Sequence, residues 1–196
     1  MKPGLFIYDI EVLRGPDEVD GGWNNPEAMG FGCAVVYGYE YDQYYFYGPD
    51  EKDWLVILLA NAHVVSFNGI KFDNRVIFGN DYNSAVCDRK WSDIDLLLKV
   101  VRGKFNVDTV ADAETKFGMS EVHDGSIGLD GLAKGTLGMG KTGHGSKAPD
   151  MIREGKWDGV YAYCLHDVRL TRKLYEFAKQ YGYLIDRNGT KIPVEV

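Results

Sequence analysis

The order of its sequence patterns predicts that this chain forms one domain of the mixed α/β class. Strand-like segments rich in β-branched and aromatic residues come first, and helical segments follow and dominate the second half. The 196 residues are 45% hydrophobic and 26% charged, which is enough apolar material for one sizeable core. We therefore expect residues 1–196 to form a single domain, with residues 183–196 as a terminal hairpin.

The first predicted strand is Leu5–Val12 (LFIYDIEV), whose nearly continuous apolar run indicates a central strand buried on both faces. Gly15–Gly30 is rich in Gly, Pro, Asp and Asn, which predicts a loop. High β-propensity predicts three further strands, over Phe31–Tyr39, Asp42–Tyr47 and His63–Phe67. The last of these strands ends at the turn Asn68-Gly69.

Helical patterns account for most of the remaining chain. Asp50–Ala62 begins with acidic residues and continues with apolar ones, which suits the positive end of a helix dipole. Four more helices are predicted over Phe72–Phe78, Asp108–Phe117, Leu129–Leu137 and Trp157–Tyr181. Asp93–Val101 fits either a strand or the start of a helix, and Tyr183–Val196 predicts a hairpin around Asn188-Gly189.

The composition excludes several classes of protein. A net charge of −7 and a pI of about 5.1 argue against a protein that coats nucleic acid through its whole surface. No run approaches the ~18 apolar residues of a membrane span, and Asp9 comes too early for a signal peptide. Cys33, Cys87 and Cys164 are odd in number, scattered and not at zinc-ligand spacing, so we expect reduced thiols and a cytoplasmic location.

Carboxylates occur at three places where the surrounding sequence is apolar. Asp9 and Glu11 lie two residues apart in the first strand, on one face and roughly 6.6 Å from each other along it. Burying two carboxylates there costs free energy unless cations or hydrogen bonds stabilise their negative charge. A strand end that reaches solvent would also explain their presence. Asp73 follows a strand and a turn at the start of a predicted helix, where an ordinary N-cap is the alternative.

The third place is Tyr163-Cys-Leu-His-Asp167 in the longest predicted helix. Tyr163 and Asp167 are four residues apart and share one helical face, although simple core packing would also explain the tyrosine. Together, carboxylates from a strand, a strand-turn-helix and a late helix suit hard divalent ions such as Mg²⁺ or Mn²⁺. Two such ions can clamp the attacking and leaving oxygens of a phosphodiester, so the sequence predicts a metal-dependent phosphodiesterase site.

With these residues, the chain resembles the DEDD exonucleases, the proofreading type of 3′–5′ exonuclease. Tyr8-Asp9-Ile10-Glu11 resembles their first motif (D-x-E), and Asn68-Gly-Ile-Lys-Phe-Asp73 resembles their second (N-x-x-x-F-D). Tyr163-x-x-x-Asp167 resembles the third motif of the tyrosine branch. The histidine branch would have His five positions before Asp167, where this chain has Ala162, and His166 is not assigned to the site.

The resemblance covers residue 5 to about residue 181 and implies a ribonuclease H-like fold, with a five-stranded mixed sheet flanked by helices. It implies a hydrolase that needs two divalent cations, Mg²⁺ or Mn²⁺, and releases nucleoside monophosphates from the 3′ end of single-stranded nucleic acid. We expect DNA rather than RNA as the substrate, a role in DNA replication or repair, and a polymerase or helicase as a partner. Lys71 and Gly103–Gly125 have no counterpart in the pattern.

The resemblance also implies a role for each motif residue. Asp9 would bridge both metal ions, Glu11 and Asp167 would hold the first, and Asp73 would support the second. Tyr163 would position the attacking water. The main alternative is a ribonuclease H-like nucleic-acid-binding or scaffolding domain that has no turnover.

A second motif, Gly135–Thr142 (GTLGMGKT), fits the phosphate-binding pattern G-x-x-x-x-G-K-[ST]. That pattern binds phosphate when a strand leads into the loop and a helix begins at its Lys-Thr. Here the predicted helix Leu129–Leu137 leads into it, and we expect Gly143–Pro149 to open no helix because it is rich in Gly and Pro. A P-loop ATPase is therefore kept only as a remote alternative.

The segment around that motif is basic in an otherwise acidic chain. Residues 134–156 contain five basic side chains and two acidic ones, a net charge of +3, and we expect a flexible loop beside the substrate channel. Its lysines would contact the phosphates of the strand without reading the bases, although a solvated loop would have the same composition. The predicted substrate-binding residues are Asn68, Phe72, Lys141 and Lys147.

Overall fold

A five-stranded mixed sheet forms the centre of the computed structural model, which describes residues 4–79, 93–140 and 147–196. Its strands are β1 (Leu5–Val12), β2 (Phe31–Gly38), β3 (Gln43–Tyr47), β4 (His63–Ser66) and β5 (Asp93–Asp95). Their order across the sheet is β3-β2-β1-β4-β5. β1 pairs antiparallel with β2, and β2 with β3, whereas β4 is parallel to β1 and β5 is parallel to β4. The predicted α/β class and the mixed sheet of five strands are confirmed.

Helices connect and cover these strands. The helices of the described residues are α1 (Pro26–Met29), α2 (Lys52–Ala60), α3 (Asp73–Phe78), α4 (Leu96–Phe105), α5 (Val110–Phe117), α6 (Met119–Val122), α7 (Leu129–Leu137), α8 (Ala148–Arg153) and α9 (Trp157–Tyr181). A small antiparallel hairpin, β6 (Tyr183–Ile185) and β7 (Lys191–Pro193), follows α9 as predicted. None of the helices described here is both long and apolar enough to cross a membrane.

Four segments differ from the predictions. The predicted loop Gly15–Gly30 contains α1 and two short 3-10 turns, and Asp93–Val101 divides into β5 and the first part of α4. The short helices α6 and α8 were not predicted. Helix α8 begins within the stretch Gly143–Pro149, because Pro149 stands in its first turn, where a missing N–H has no helical partner to lose.

The central strand β1 is packed on both faces, as its apolar sequence predicts. Ile7 lies in one core cluster with Cys164 and Val168 of α9, whereas Tyr8 and Ile10 lie in the cluster on the opposite face, with the apolar side of α2. Side chains along a strand alternate between faces, so Asp9 and Glu11 point to the same side as Ile7. Helix α9 therefore covers the face of the sheet from which these two carboxylates project.

The terminal hairpin packs against α7 through the beginning of the GTLGMGKT motif. A Cβ atom on Gly135 would lie 2.1 Å from the carbonyl oxygen of Asp186, so only glycine allows this close approach. The Thr136 hydroxyl donates to the carbonyl of Ile185 (3.0 Å) and accepts from its amide (2.9 Å). The first two residues of the motif thus serve a packing contact with the hairpin.

Candidate active site

The first two candidate residues are held at the end of β1. The register between β1 and β2 shifts between Glu11 and Val12, so Gly32 of β2 has no partner opposite it. Such a bulge bends and twists the strand pair locally and is common beside functional sites. Glu11 is buried and Asp9 half-buried, which confirms that neither carboxylate simply projects from a solvated strand end.

The loop from Asn68 to Asp73 is shaped by tight backbone geometry. Asn68 has a φ of +66°, in the left-handed region that Asn tolerates better than most residues. A Cβ on Gly69 would stand 2.2 Å from the Ser66 hydroxyl and 3.0 Å from the Tyr8 hydroxyl, so no larger residue fits there. These two residues turn the chain sharply from β4 into α3, whose first residue is Asp73.

Asp95 fixes this loop from the neighbouring strand, and the sequence analysis did not identify it. Its carboxylate accepts hydrogen bonds from the backbone amides of Asn68 (2.9 Å) and Ile70 (3.1 Å). The same carboxylate caps α4 by accepting from the amides of Leu97 (3.0 Å) and Leu98 (3.3 Å). An Asp between a strand and a helix is a recognisable N-cap signal, but the cap alone would not have revealed its bonds to the loop.

A second buried network links β1, α3 and β5. The Tyr8 hydroxyl donates to the side-chain carbonyl of Asn74 at 2.6 Å, and the Asn74 amide donates to the carboxylate of Asp93 at 3.1 Å. Asn74 follows Asp73 directly, so this network holds the first turn of α3 beside β1. Satisfied polar networks of this kind fix a unique arrangement in a core.

Helix α9 contributes the last carboxylate. The Cys164 thiol donates to the backbone carbonyl of Asp9 at 3.1 Å, which ties the helix to β1 beside the site. Asp167 lies one helical turn after Tyr163 and lines the same cleft as the other carboxylates. Tyr163 is partly buried and does not line that cleft. His166, excluded from the site, lies 3.1 Å from the carbonyl of Gly140, outside the cleft.

The structure thus brings four predicted carboxylates, from three distant parts of the chain, to one cleft of about 240 Å³. The four are Asp9, Glu11, Asp73 and Asp167. Two of the predicted substrate-binding residues, Asn68 and Phe72, line the same cleft, together with Trp23 and Pro149. Lys147 is exposed at the start of α8, two residues before Pro149, whereas Lys141 lies outside the described residues.

The crowding of carboxylates changes the proton affinity of Asp73, whose side chain is only 4% exposed. Burial, together with the negative charges of Asp95 and Asp167, raises the pKa of Asp73 to about 7. Hydrogen bonding to its own amide and to the amide of Ile10 works in the opposite direction. Because Ile10 lies between Asp9 and Glu11, this interaction places the Asp73 carboxyl group beside the first motif.

These residues fit a divalent cation by their chemistry. All four are carboxylates, the oxygen donors that Mg²⁺ and Mn²⁺ prefer, and a cation would offset the cost of burying Asp73 among like charges. Over residues 4–79, 93–140 and 147–196, however, no three His, Cys, Asp or Glu side chains form a ready-made ligand cluster. The donors share the cleft without converging on one point.

The prediction of a basic loop over residues 134–156 was wrong where helix α8 forms, whereas its first residues belong to α7, as predicted for Leu129–Leu137. Lys134 belongs to α7 and pairs with Asp130 at 2.6 Å. Arg153 of α8 pairs with Glu18 at 2.8 Å and also with Asp150. Lys156 pairs with Glu154 at 2.6 Å. Asp150 and Glu154 are already counted in the net charge of +3, and Asp130 and Glu18, from outside the segment, offset two of those three charges.

The phosphate-binding interpretation of GTLGMGKT gains no support from the described part of the motif. Helix α7 runs through Gly135, Thr136 and Leu137, so a helix leads into the motif instead of a strand, as predicted. Its Lys141 and Thr142 lie outside the described residues.

The sequence matches no model of a known protein family and no curated protein.

Proposed function

We propose that this protein is a metal-dependent 3′–5′ exonuclease of the DEDD type, in its tyrosine branch. The observation that carries the proposal is the meeting of Asp9, Glu11, Asp73 and Asp167 in one cleft. These residues are separated by up to 158 positions in sequence, and they come from three separate short motifs. The strand order of the sheet is compatible with a ribonuclease H-like fold.

In this proposal the carboxylates hold the cations and the loop holds the strand. Asp9 would hold both cations, Glu11 and Asp167 the first, and Asp73 the second. When bound, divalent cations supply positive charge that stabilises the negative charge developing on the phosphodiester. Asn68 and Phe72, which line the same cleft, would contact the terminal nucleotide, and the exposed Lys147 would contact a phosphate of the strand.

Tyr163 is assigned the positioning of the attacking water. A tyrosine hydroxyl titrates near ~10, so at neutral pH it orients a water by a hydrogen bond better than it removes a proton. Tyr163 lies one turn before Asp167 on α9 but does not line the cleft, so this role requires its side chain to turn towards the substrate. Catalytic groups often reach their working geometry only in the complex with substrate.

The test is cleavage of 5′-end-labelled single-stranded DNA and RNA with Mg²⁺ or Mn²⁺, with and without EDTA. An exonuclease produces a ladder that shortens one nucleotide at a time, and a blocked 3′ end prevents it. Asp9→Ala is the control, because a carboxylate that holds both cations has no substitute, and this variant should lose all cleavage. If Asp9→Ala cleaves like the wild type, the proposed site is wrong.

A second candidate function is supported by two observations. The carboxylates do not form a ready-made ligand cluster among the described residues, and Tyr163 stands outside the cleft. Both features suit a nucleic-acid-binding or scaffolding domain that has no turnover. Binding of single strands without metal-dependent release of mononucleotides would favour this candidate. In either case the free buried thiols of Cys33 and Cys164 are in line with a cytoplasmic location, where the protein would work alone or beside a polymerase or helicase.

A further inference from the structure

A second pocket of about 540 Å³ adjoins the cleft of the carboxylates. The two share Trp23, Asn68 and Phe72 in their linings, so a chain that enters one can continue directly into the other. The outer part of the second pocket is built by Lys71 and by α5 and α6. These are the parts of the chain for which the exonuclease pattern offers no role.

Aromatic and apolar side chains line this second pocket without being buried by the protein itself. Trp23 is 63% exposed, and its ring centroid lies 5.8 Å from that of Phe72 with the planes tilted by 53°. Met119 of α6 is 62% exposed and also faces the pocket. Large exposed apolar side chains that line one concave surface indicate a ligand that covers them.

Part of the lining of the second pocket is polar. Glu114 lies 3.5 Å from the ammonium of Lys71 and 2.6 Å from the imidazole of His123. Half of the Lys71 side chain remains exposed, and its long contact with Glu114 leaves it able to approach a phosphate. A pocket lined by both aromatic rings and hydrogen-bonding groups suits a nucleobase, whose faces stack and whose edges donate and accept.

We propose that the second pocket binds one unpaired nucleobase of the strand whose 3′ end occupies the cleft, with Trp23 as the stacking surface. This assignment rests on the proposed function, since it needs a single strand in the adjoining cleft. It makes Trp23 a substrate-binding residue. It also gives Lys71 a phosphate contact and gives α5 and α6 the outer wall of the base pocket.

Abasic substitution tests this assignment. We would measure binding of a 5′-fluorescein octanucleotide by anisotropy, in EDTA so that the strand stays intact, with one abasic residue placed at each of the last four positions. Loss of one stacked base typically weakens binding by roughly 5- to 150-fold. The wild type should show that loss at one position in particular.

The matched variants are Trp23→Ala and Trp54→Ala. Trp54 is 69% exposed on α2 and lines neither pocket, so its loss controls for removing a surface tryptophan. Trp23→Ala should weaken binding of the intact strand by the same factor and show no further loss at the sensitive position. Trp23→Phe should restore both the affinity and the position dependence, whereas Trp54→Ala should behave like the wild type.

Three outcomes overturn the assignment. The first is a wild type that cleaves strands but is equally sensitive to abasic residues at all positions. The second is a Trp23→Ala variant that keeps the wild-type sensitivity. Either result leaves the exonuclease proposal intact, whereas a wild type that neither binds nor cleaves strands overturns both. If Trp23→Ala does not fold, 2-aminopurine placed along the strand still decides the question in the wild type, because stacking quenches its fluorescence at one position only.

Discussion

Replacing Asp95 by alanine should destabilise the protein by much more than the loss of a helix cap. The carboxylate is only 4% exposed and accepts from four backbone amides, two of α4 and two of the loop that precedes Asp73. A lost cap costs about 1 kcal/mol. Each of the two loop amides left without an acceptor costs about 1–3 kcal/mol, so the total should reach roughly 3–7 kcal/mol.

Thr109→Ala is the matched control, because Thr109 caps α5 through one amide, that of Asp112 (3.1 Å), at an exposed site. It should cost about 1 kcal/mol. Asp95→Asn keeps one acceptor oxygen and removes a carboxylate whose pKa is raised by burial, so it should cost less than Asp95→Ala. Urea unfolding of the four proteins gives these differences. If Asp95→Ala and Thr109→Ala differ by less than about 1 kcal/mol, Asp95 does not support the loop.

Three further perturbations test the site. Tyr163→Phe should keep the fold and lower the cleavage rate by ~10²–10⁴, and an unchanged rate would mean that the tyrosine only packs. In EDTA, protonation of the Asp73 carboxyl group stabilises the folded state, because the pKa of Asp73 is higher in the folded protein than in the unfolded chain. This stabilisation is fully present below the unfolded pKa near 3.8 and is lost as the pH rises through the folded pKa of about 7. Between pH 5.5 and 8.5 the wild type should therefore lose about 2 kcal/mol of stability relative to Asp73→Asn, and urea curves that shift in parallel would contradict this. Lys147→Ala should lower the salt dependence of strand binding by about one unit of slope, and an unchanged slope would remove Lys147 from the substrate path.

The sequence predicts best those helices that have a clear hydrophobic periodicity and a clear signal at their C-terminus. Helices α7 and α9 were predicted from end to end, since each is amphipathic and is followed by a glycine in the left-handed conformation, Gly138 and Gly182. Helix α8 was not predicted because a proline usually indicates a break in a helix. Pro149 instead stands in the first turn of α8, where proline is tolerated. A helix this short has too few residues to show a hydrophobic periodicity that would outweigh the proline.

In the candidate site, too, some residues could be predicted from the sequence and others could not. Asp9, Glu11 and Asp73 could be selected because a charge in an apolar segment is locally anomalous. The role of Asp95 could not be seen, because its bonds to Asn68 and Ile70 join residues 27 and 25 positions apart, which no local pattern reports. The pairing of Arg153 with Glu18 was hidden for the same reason, so composition overstated the charge of the basic segment.

The docking of the terminal hairpin on α7 bears on how short motifs arise. The first glycine of GTLGMGKT is required by its approach to Asp186, and the following threonine by its two bonds to Ile185. Neither requirement involves a nucleotide. In a library of variants selected only for folding, Gly135 should therefore stay fixed. Residues that are selected for packing against a terminal hairpin can thus match part of a phosphate-binding motif by coincidence.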